Sequence, residues 1–241
     1  MKHIYVYLNP SKSFNEVGEA LFKVQADNLS VLGVNPADIL LVTNFDYEYN
    51  GIKATVLGDH VFCKHHPRSS KTTAMFELFK LDMIEDELYW LKDLDVFQVR
   101  PVSEKELEID EYEIGLTTYG YKKDGVDRWN GGSLFITNKC ESVIKGIFGG
   151  MYYFGTEEEG ALTNLIRDQA VEGKIRNIRI KKLSSAYNVF FRGAEWDIDG
   201  IKEPIAALHF SPRPELFERM RQYMNPELPA IITAYFPNMI K

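Results

Sequence analysis

The order of apolar segments predicts an α/β fold: one domain in which helices cover both faces of a mostly parallel sheet. Three observations carry this. Strand-like and helix-like segments alternate over the first ~100 residues, as in βαβ units. Asp38-Ile-Leu-Leu-Val-Thr43 is continuously apolar rather than alternating, which suits a central strand covered on both faces. No internal repeat, low-complexity segment or Gly/Ser linker divides the 241 residues, a length that fits one generous domain.

The elements follow in order. His3-Ile-Tyr-Val-Tyr-Leu8 is a short strand closed by Asn9-Pro10. Asn15 to Gly33 reads as a helix, with Val17, Leu21, Val24, Asn28 and Val31 as its inner stripe and Gly33 as its stop. Gly51 to Leu57 supplies another strand, and Asp59 to Phe62 a short further one. A helix is expected over Thr73–Ile84, with Met75, Leu78, Phe79 and Met83 on one face and Ser69, Ser70 and Thr72 available as caps. Glu87-Leu-Tyr-Trp-Leu91 then reads as a strand, completing a Rossmann-like half. Glu104 to Tyr121 is acidic and less periodic, and is expected to be a connecting region.

Composition excludes several classes. With 45% apolar and 13% aromatic residues the chain can bury a full core, so it is neither disordered, collagen-like nor a disulfide scaffold. The two cysteines, Cys63 and Cys140, are far apart and match no zinc spacing; a reduced, cytoplasmic compartment is expected. The N-terminus does not read as a signal peptide, and no apolar run reaches the ~18–20 residues of a membrane span. The net charge of −7 argues against a surface that grips nucleic acid all over. Charge is uneven, however. Glu77 to Glu113 holds 13 acidic and 4 basic residues, whereas Glu172 to Arg221 holds 10 basic and 7 acidic. The densest basic stretch contains Lys174, Arg176, Arg179, Lys181 and Lys182, which fits either a solvated face or a phosphate contact.

The strongest chemical signal is Tyr89-Trp-Leu-Lys-Asp93-Leu-Asp95-Val-Phe-Gln98. An apolar strand ends in two carboxylates spaced i, i+2, and the bend at a strand end lets both face one point beyond the carboxyl edge of the sheet. Ligands bind at that edge in open α/β folds. Two hard oxygen ligands there suit Mg²⁺ or Mn²⁺, which would bridge nucleotide phosphates.

This stretch resembles the D-x-D signature of GT-A glycosyltransferases, and similarities continue in family order from about Ile4 to Phe210. Trp129-Asn130-Gly131-Gly132-Ser133-Leu-Phe-Ile136 is similar to the strand that frames the sugar and acceptor site. Thr156-Glu157-Glu158-Glu159-Gly160 stands where the family carries an acidic segment at a helix start, with Glu in place of the usual Asp. Ile205-Ala-Ala-Leu-His209-Phe210 resembles the late strand whose His completes the metal site. The resemblance implies a GT-A-like single domain over 1–241, with a nucleotide-binding half over about 1–100, an acceptor half over about 101–210 and a C-terminal extension over 211–241. It also implies a nucleoside-diphosphate sugar as donor, Mn²⁺ or Mg²⁺ held by Asp93, Asp95 and His209, and donor contacts from Asn130, Gly131 and Gly132. Glu158 or Glu159 would orient or deprotonate the acceptor hydroxyl.

Lys64-His65-His66-Pro67-Arg68-Ser69-Ser70-Lys71 precedes a helix, and Arg68 and Lys71 are donor-phosphate candidates there. His65 and His66 have no partner at metal spacing. The absence of G-x-S-x-G and G-x-x-x-x-G-K sets hydrolase and P-loop readings aside. The stretch Leu41 to Gly51, together with the small chain, resembles compact GT-A enzymes of phages, some of which glycosylate hydroxymethylated DNA bases; duplex DNA is therefore one expected acceptor, with the Lys174–Lys182 stretch tracking its backbone. A bacterial glycan, a lipid-linked sugar and a non-catalytic nucleotide-binding role on the same fold stay open as alternatives.

Overall fold

The computed structural model describes residues 1–123, 125–172, 179–191 and 201–239. In chain order the first half contains β1 (Lys2–Tyr7), α1 (Glu16–Val31), β2 (Ile39–Thr43), β3 (Glu48–Tyr49), β4 (Ile52–Lys53), β5 (Thr55–Val56), α2 (Ser70–Lys80), β6 (Tyr89–Lys92) and β7 (Val96–Gln98). There follow α3 (Glu104–Leu107), β8 (Ile114–Lys123), β9 (Val126–Ile136), α4 (Glu141–Phe154) and α5 (Glu158–Glu172). The last described elements are β10 (Ile180–Lys182), β11 (Val189–Phe190), β12 (Ala207–His209), α6 (Pro214–Met220) and α7 (Leu228–Tyr235).

The central sheet has seven strands in the order β10-β8-β9-β6-β1-β2-β5. Every neighbouring pair is parallel except those that β9 makes with β6 and β8, so β9 alone runs against the rest. The strand β6 lies in the middle, and all four of its residues are buried, its apolar Tyr89-Trp90-Leu91 run as a central strand requires and Lys92 with it. The helices α2 and α4 cover one face together with Ile4, Leu91 and Ile136; α1 covers the other with Tyr5, Leu41 and Phe22. Local chemistry sets the helix ends. The Asn15 side chain accepts from the Gly18 amide (2.7 Å) to start α1, and Gly33 takes φ +84° just beyond its end.

One junction positions the site. The chain leaves the central sheet at Lys92 and enters a second, three-stranded sheet at Val96. There β7 runs antiparallel to β12, and β12 is parallel to β11. The turn between the two sheets is Asp93-Leu94-Asp95. In the β7–β12 register His209 is paired with Val96, which sets the imidazole beside that turn.

Several expectations are corrected. The region Glu104–Tyr121 is no connector: it forms α3 and most of β8, whose Ile114 and Leu116 are fully buried. The acidic run before Ile114 conceals the start of that strand. The helix expected over Thr73–Ile84 is α2, three residues earlier at its start and four shorter at its end; Asp82 takes φ +52° and Met83 is exposed. The Gly51–Leu57 segment splits, β4 pairing with β3 and β5 with β2. Asp59–Val61 is a 3₁₀ turn. On α1, Val24 and Asn28 are buried as expected, but Val17 and Val31 are exposed, and Phe22, Gln25 and Leu29 join the buried face.

Candidate active site

At the junction of the two sheets Asp93, Asp95 and His209 each offer a ligand atom, all within 4.8 Å of one another. His209 Nε2 lies 3.4 Å from Asp95 Oδ1. Burial works to raise the Asp95 carboxyl, but His209 beside it, with a smaller contribution from Lys71, holds it below its ordinary value. The other imidazole nitrogen, Nδ1, is 3.1 Å from Asn188 Oδ1. The Asn188 amide nitrogen donates to Thr117 Oγ1 (3.2 Å), so its oxygen is left to accept from Nδ1–H. That arrangement leaves Nε2 as the ring nitrogen facing the carboxylates, the one that would offer its lone pair to a bound cation. Gly132 makes room for the ring: a Cβ there would lie 2.4 Å from His209 Cε1.

Lys71, in the first turn of α2, is buried against this cluster. Its ammonium donates to Asp93 Oδ1 (2.7 Å) and the Gly131 carbonyl (2.6 Å), and Glu158 Oε1 lies 3.4 Å away. Burial alone would depress the ammonium, but Asp93, Glu158 and Glu159 outweigh it and hold Lys71 above its ordinary value. Glu158 opens α5, where a carboxylate suits the helix dipole. Its carboxylate also accepts from the Ser69 hydroxyl, while its amide donates to Ser69 Oγ (3.2 Å). Burial pushes Glu158 up, but Lys71 and Ser69 together hold it below the usual range. Glu159 Oε1 accepts from Tyr119 Oη (2.7 Å) and from the Gly131 amide (2.8 Å). The Gly132 carbonyl accepts from the Asp93 amide (2.9 Å), and Asn130 Oδ1 accepts from the Gly132 amide (2.9 Å). The Asn130 Nδ2 group is buried and has no partner among the described residues.

The fold thus gathers most of the residues that the sequence singled out: Asp93, Asp95, His209, Lys71, Asn130, Gly131, Gly132, Glu158 and Glu159. Arg68 is exposed, in the 3₁₀ turn that precedes α2, and Glu157 is exposed as well. Of the basic stretch, Lys174 and Arg176 lie outside the described residues, and Arg179 is exposed. Lys181 pairs with Glu108 (3.2 Å) and Lys182 with Asp127 (2.7 Å), so acidic neighbours already hold both.

Sequence reasoning missed Asn188, Tyr119 and Gln25, and it took Ser69 for a helix cap, whereas its side chain makes no capping bond and pairs with Glu158. Gln25 is buried on α1, and its Nε2 donates to the Leu94 carbonyl (2.8 Å) inside the Asp93–Asp95 turn; its Oε1 accepts from Tyr5 Oη (3.0 Å). The available signal was a lone amide in an apolar setting: Gln25 between Val24 and Ala26, and Asn188 ahead of Val189-Phe-Phe191.

No family model matches the chain, and no curated protein matches it by sequence. Solved structures do match. A galactosyltransferase, LgtC, crystallised with donor and acceptor sugar analogues, superposes at a TM-score of 0.57 and 13% identity, over 100% of this chain and 97% of its own. The glycosyltransferase GlyE of Streptococcus pneumoniae TIGR4 gives 0.58 and 14%, over 100% of this chain and 65% of its own. A glycosyltransferase involved in glycosylation of the major capsid of PBCV-1 gives 0.52 and 13%, over 92% and 100%. The chain has the mixed, mostly parallel α/β fold of GT-A glycosyltransferases, as the D-x-D resemblance implied.

Proposed function

We propose that this chain is a glycosyltransferase that moves a sugar from a nucleoside-diphosphate sugar to a hydroxyl acceptor. One observation carries the reading: Asp93, Asp95 and His209 converge at the carboxyl edge of the sheet, with the α5 carboxylates alongside. The shared fold supports it independently.

The donor set fits a divalent cation. Two carboxylates and one imidazole whose Nε2 is turned toward them suit Mn²⁺ or Mg²⁺, and only small movements separate their spread from a first coordination shell. When bound, such an ion neutralises charge that develops on a departing nucleoside diphosphate. The chain's own residues prepare the place. Asn188 and Gly132 set the tautomer and position of His209, while Gln25 pins the turn that presents both aspartates. Lys71 bridges Asp93 to the Gly131 carbonyl and to Glu158, tying α2, β9 and α5 to the metal turn. Glu158 is held ionised, which suits fixing a cation better than supplying a proton. Glu159 is oriented by Tyr119 and the Gly131 amide and is the carboxylate we assign to the acceptor hydroxyl. The acidic partners of Lys181 and Lys182 weaken the case for a DNA acceptor at that stretch.

The test is calorimetric titration with UDP, GDP, CMP and their sugars, with Mn²⁺ and then with chelator. Metal-dependent binding of one nucleoside diphosphate is expected. In Asp95→Ala that binding should fall by at least tenfold and turnover should vanish while the melting temperature stays close to wild type. Full activity in Asp95→Ala, or no nucleotide binding by folded protein, removes the proposal.

A further inference from the structure

Among the described residues, exposed large apolar side chains occur singly or in pairs except at the end of α4. There Tyr152, Tyr153 and Phe154 follow one another, and Tyr153 is 84% exposed. Aromatic contacts extend this strip inward: Phe76 stacks on Phe148 at 4.4 Å, and Phe148 meets Tyr152 at 4.9 Å. Between this helix end and the loop before α2 lies a cavity of about 220 Å³, lined by Cys63, His65, His66, Met151, Tyr152 and Gly155.

The charge of this face departs from that of the whole chain. From His60 to Phe76 the sequence carries Lys64, Arg68, Lys71 and three histidines, and no carboxylate; from Gly146 to Thr156 it carries no charged residue. Lys64 and Arg68 are exposed, and neither pairs with a described acidic group. Two exposed cations without an acidic partner among the described residues thus flank the aromatic strip of a chain of net charge −7, and Glu77 and exposed Glu157 bound this face where the two stretches end.

We propose that this face docks on the headgroup layer of an anionic lipid bilayer. Tyrosine rings partition to the membrane–water boundary, and lysine and arginine beside them are drawn to an anionic leaflet. No helix among the described residues is long and apolar enough to cross a membrane, so the attachment is peripheral. Two exposed cations make too short a row to follow a duplex backbone, which disfavours nucleic acid here. The face borders the candidate site, because Ser69 in the same loop is bonded to Glu158. If the sugar-transfer reading holds, the acceptor hydroxyl is one carried at a membrane surface, such as that of a lipid-linked glycan. The docking itself does not depend on that reading.

Vesicle flotation of the full chain tests it, with phosphatidylcholine alone and with added phosphatidylglycerol, at low and high salt, alongside Mn²⁺-dependent nucleotide calorimetry. Wild type is expected to float with the anionic vesicles only, and less at high salt. The double variant Tyr153→Ser, Phe154→Ser should bind at least tenfold more weakly, and Lys64→Glu several-fold more weakly, with nucleotide binding unchanged in both. These positions are exposed, so the fold is kept. No flotation of wild type, flotation indifferent to both variants, or capture by duplex DNA in place of vesicles overturns the proposal. Vesicle binding without any nucleotide binding upholds the docking and removes only the sugar-transfer reading.

Discussion

At the scale of single residues, the centre depends on small groups that hold a histidine still. Gly132 contributes by having no side chain: a methyl there would fall 2.4 Å from His209 Cε1 and 2.7 Å from its Nδ1. Gly132→Ala must therefore push the ring off its line to Asp95, and Mn²⁺ affinity should drop by about tenfold or more. Asn188→Ala removes the acceptor that keeps the proton on Nδ1. Metal affinity should then fall by about 10–100-fold, the usual cost of losing a partner behind a metal ligand. Titration with Mn²⁺ checks both, and circular dichroism should read an unchanged fold.

At the scale of elements, the site depends on α2, α5 and β9 meeting through Lys71. Glu158 carries the pH dependence of that meeting. Its folded-state pKa lies below its ordinary 4.5, so its contribution to stability is full above that value and is lost as pH falls through the lower, folded value. Glu158→Gln should lose about 1–3 kcal/mol near neutral pH, because Lys71 loses a charged neighbour. As pH falls through that lowered value the gap between variant and wild type should narrow, since wild-type Glu158 then takes up a proton too. Urea unfolding across a series of acidic pH values reads this directly. A gap that widens on acidification would mean that Glu158 is held above its ordinary value.

At the scale of the whole molecule, the last described helices belong to the core rather than trailing from it. Leu228 and Ile232 of α7 are fully buried with Val24 of α1, Phe97 of β7 and Phe217 of α6. The Tyr235 hydroxyl donates to Asp27 on α1 (2.6 Å) and sits 2.6 Å from that of Tyr49. The packing closes over the small sheet that carries His209, so α7 supports the site from behind. Ile232→Ala should cost about 2–5 kcal/mol by leaving a cavity in this cluster. Thermal unfolding should remain one transition, shifted downward; two separate transitions would make the 211–241 segment an independent appendage.

How much was legible in advance depended on the range of the interactions involved. Composition and the apolar run at Ile39–Thr43 were enough for a mostly parallel α/β sheet, because burial on both faces is written in the residues of the strand itself. The pair Asp93 and Asp95 was equally legible, through its place at the end of a buried strand and its likeness to the D-x-D signature. The helix of 104–107 and the strand from Ile114 were hidden, because an acidic surface masks their short apolar alternation until β9 pairs with it. Asn188, Gln25 and Tyr119 were out of reach for a different reason. Each is polar and carries no periodic signal, and its role exists only because pairing between strands and packing between helices bring together residues about 20 to 70 positions apart in the chain. The sequence by itself determined the mostly parallel α/β sheet and the place of Asp93 and Asp95 at the end of a buried strand. Only the tertiary structure decided which buried amide turns His209 toward them, because a hydrogen bond between β12 and the start of its neighbour β11 depends on strand register and is encoded in no single segment.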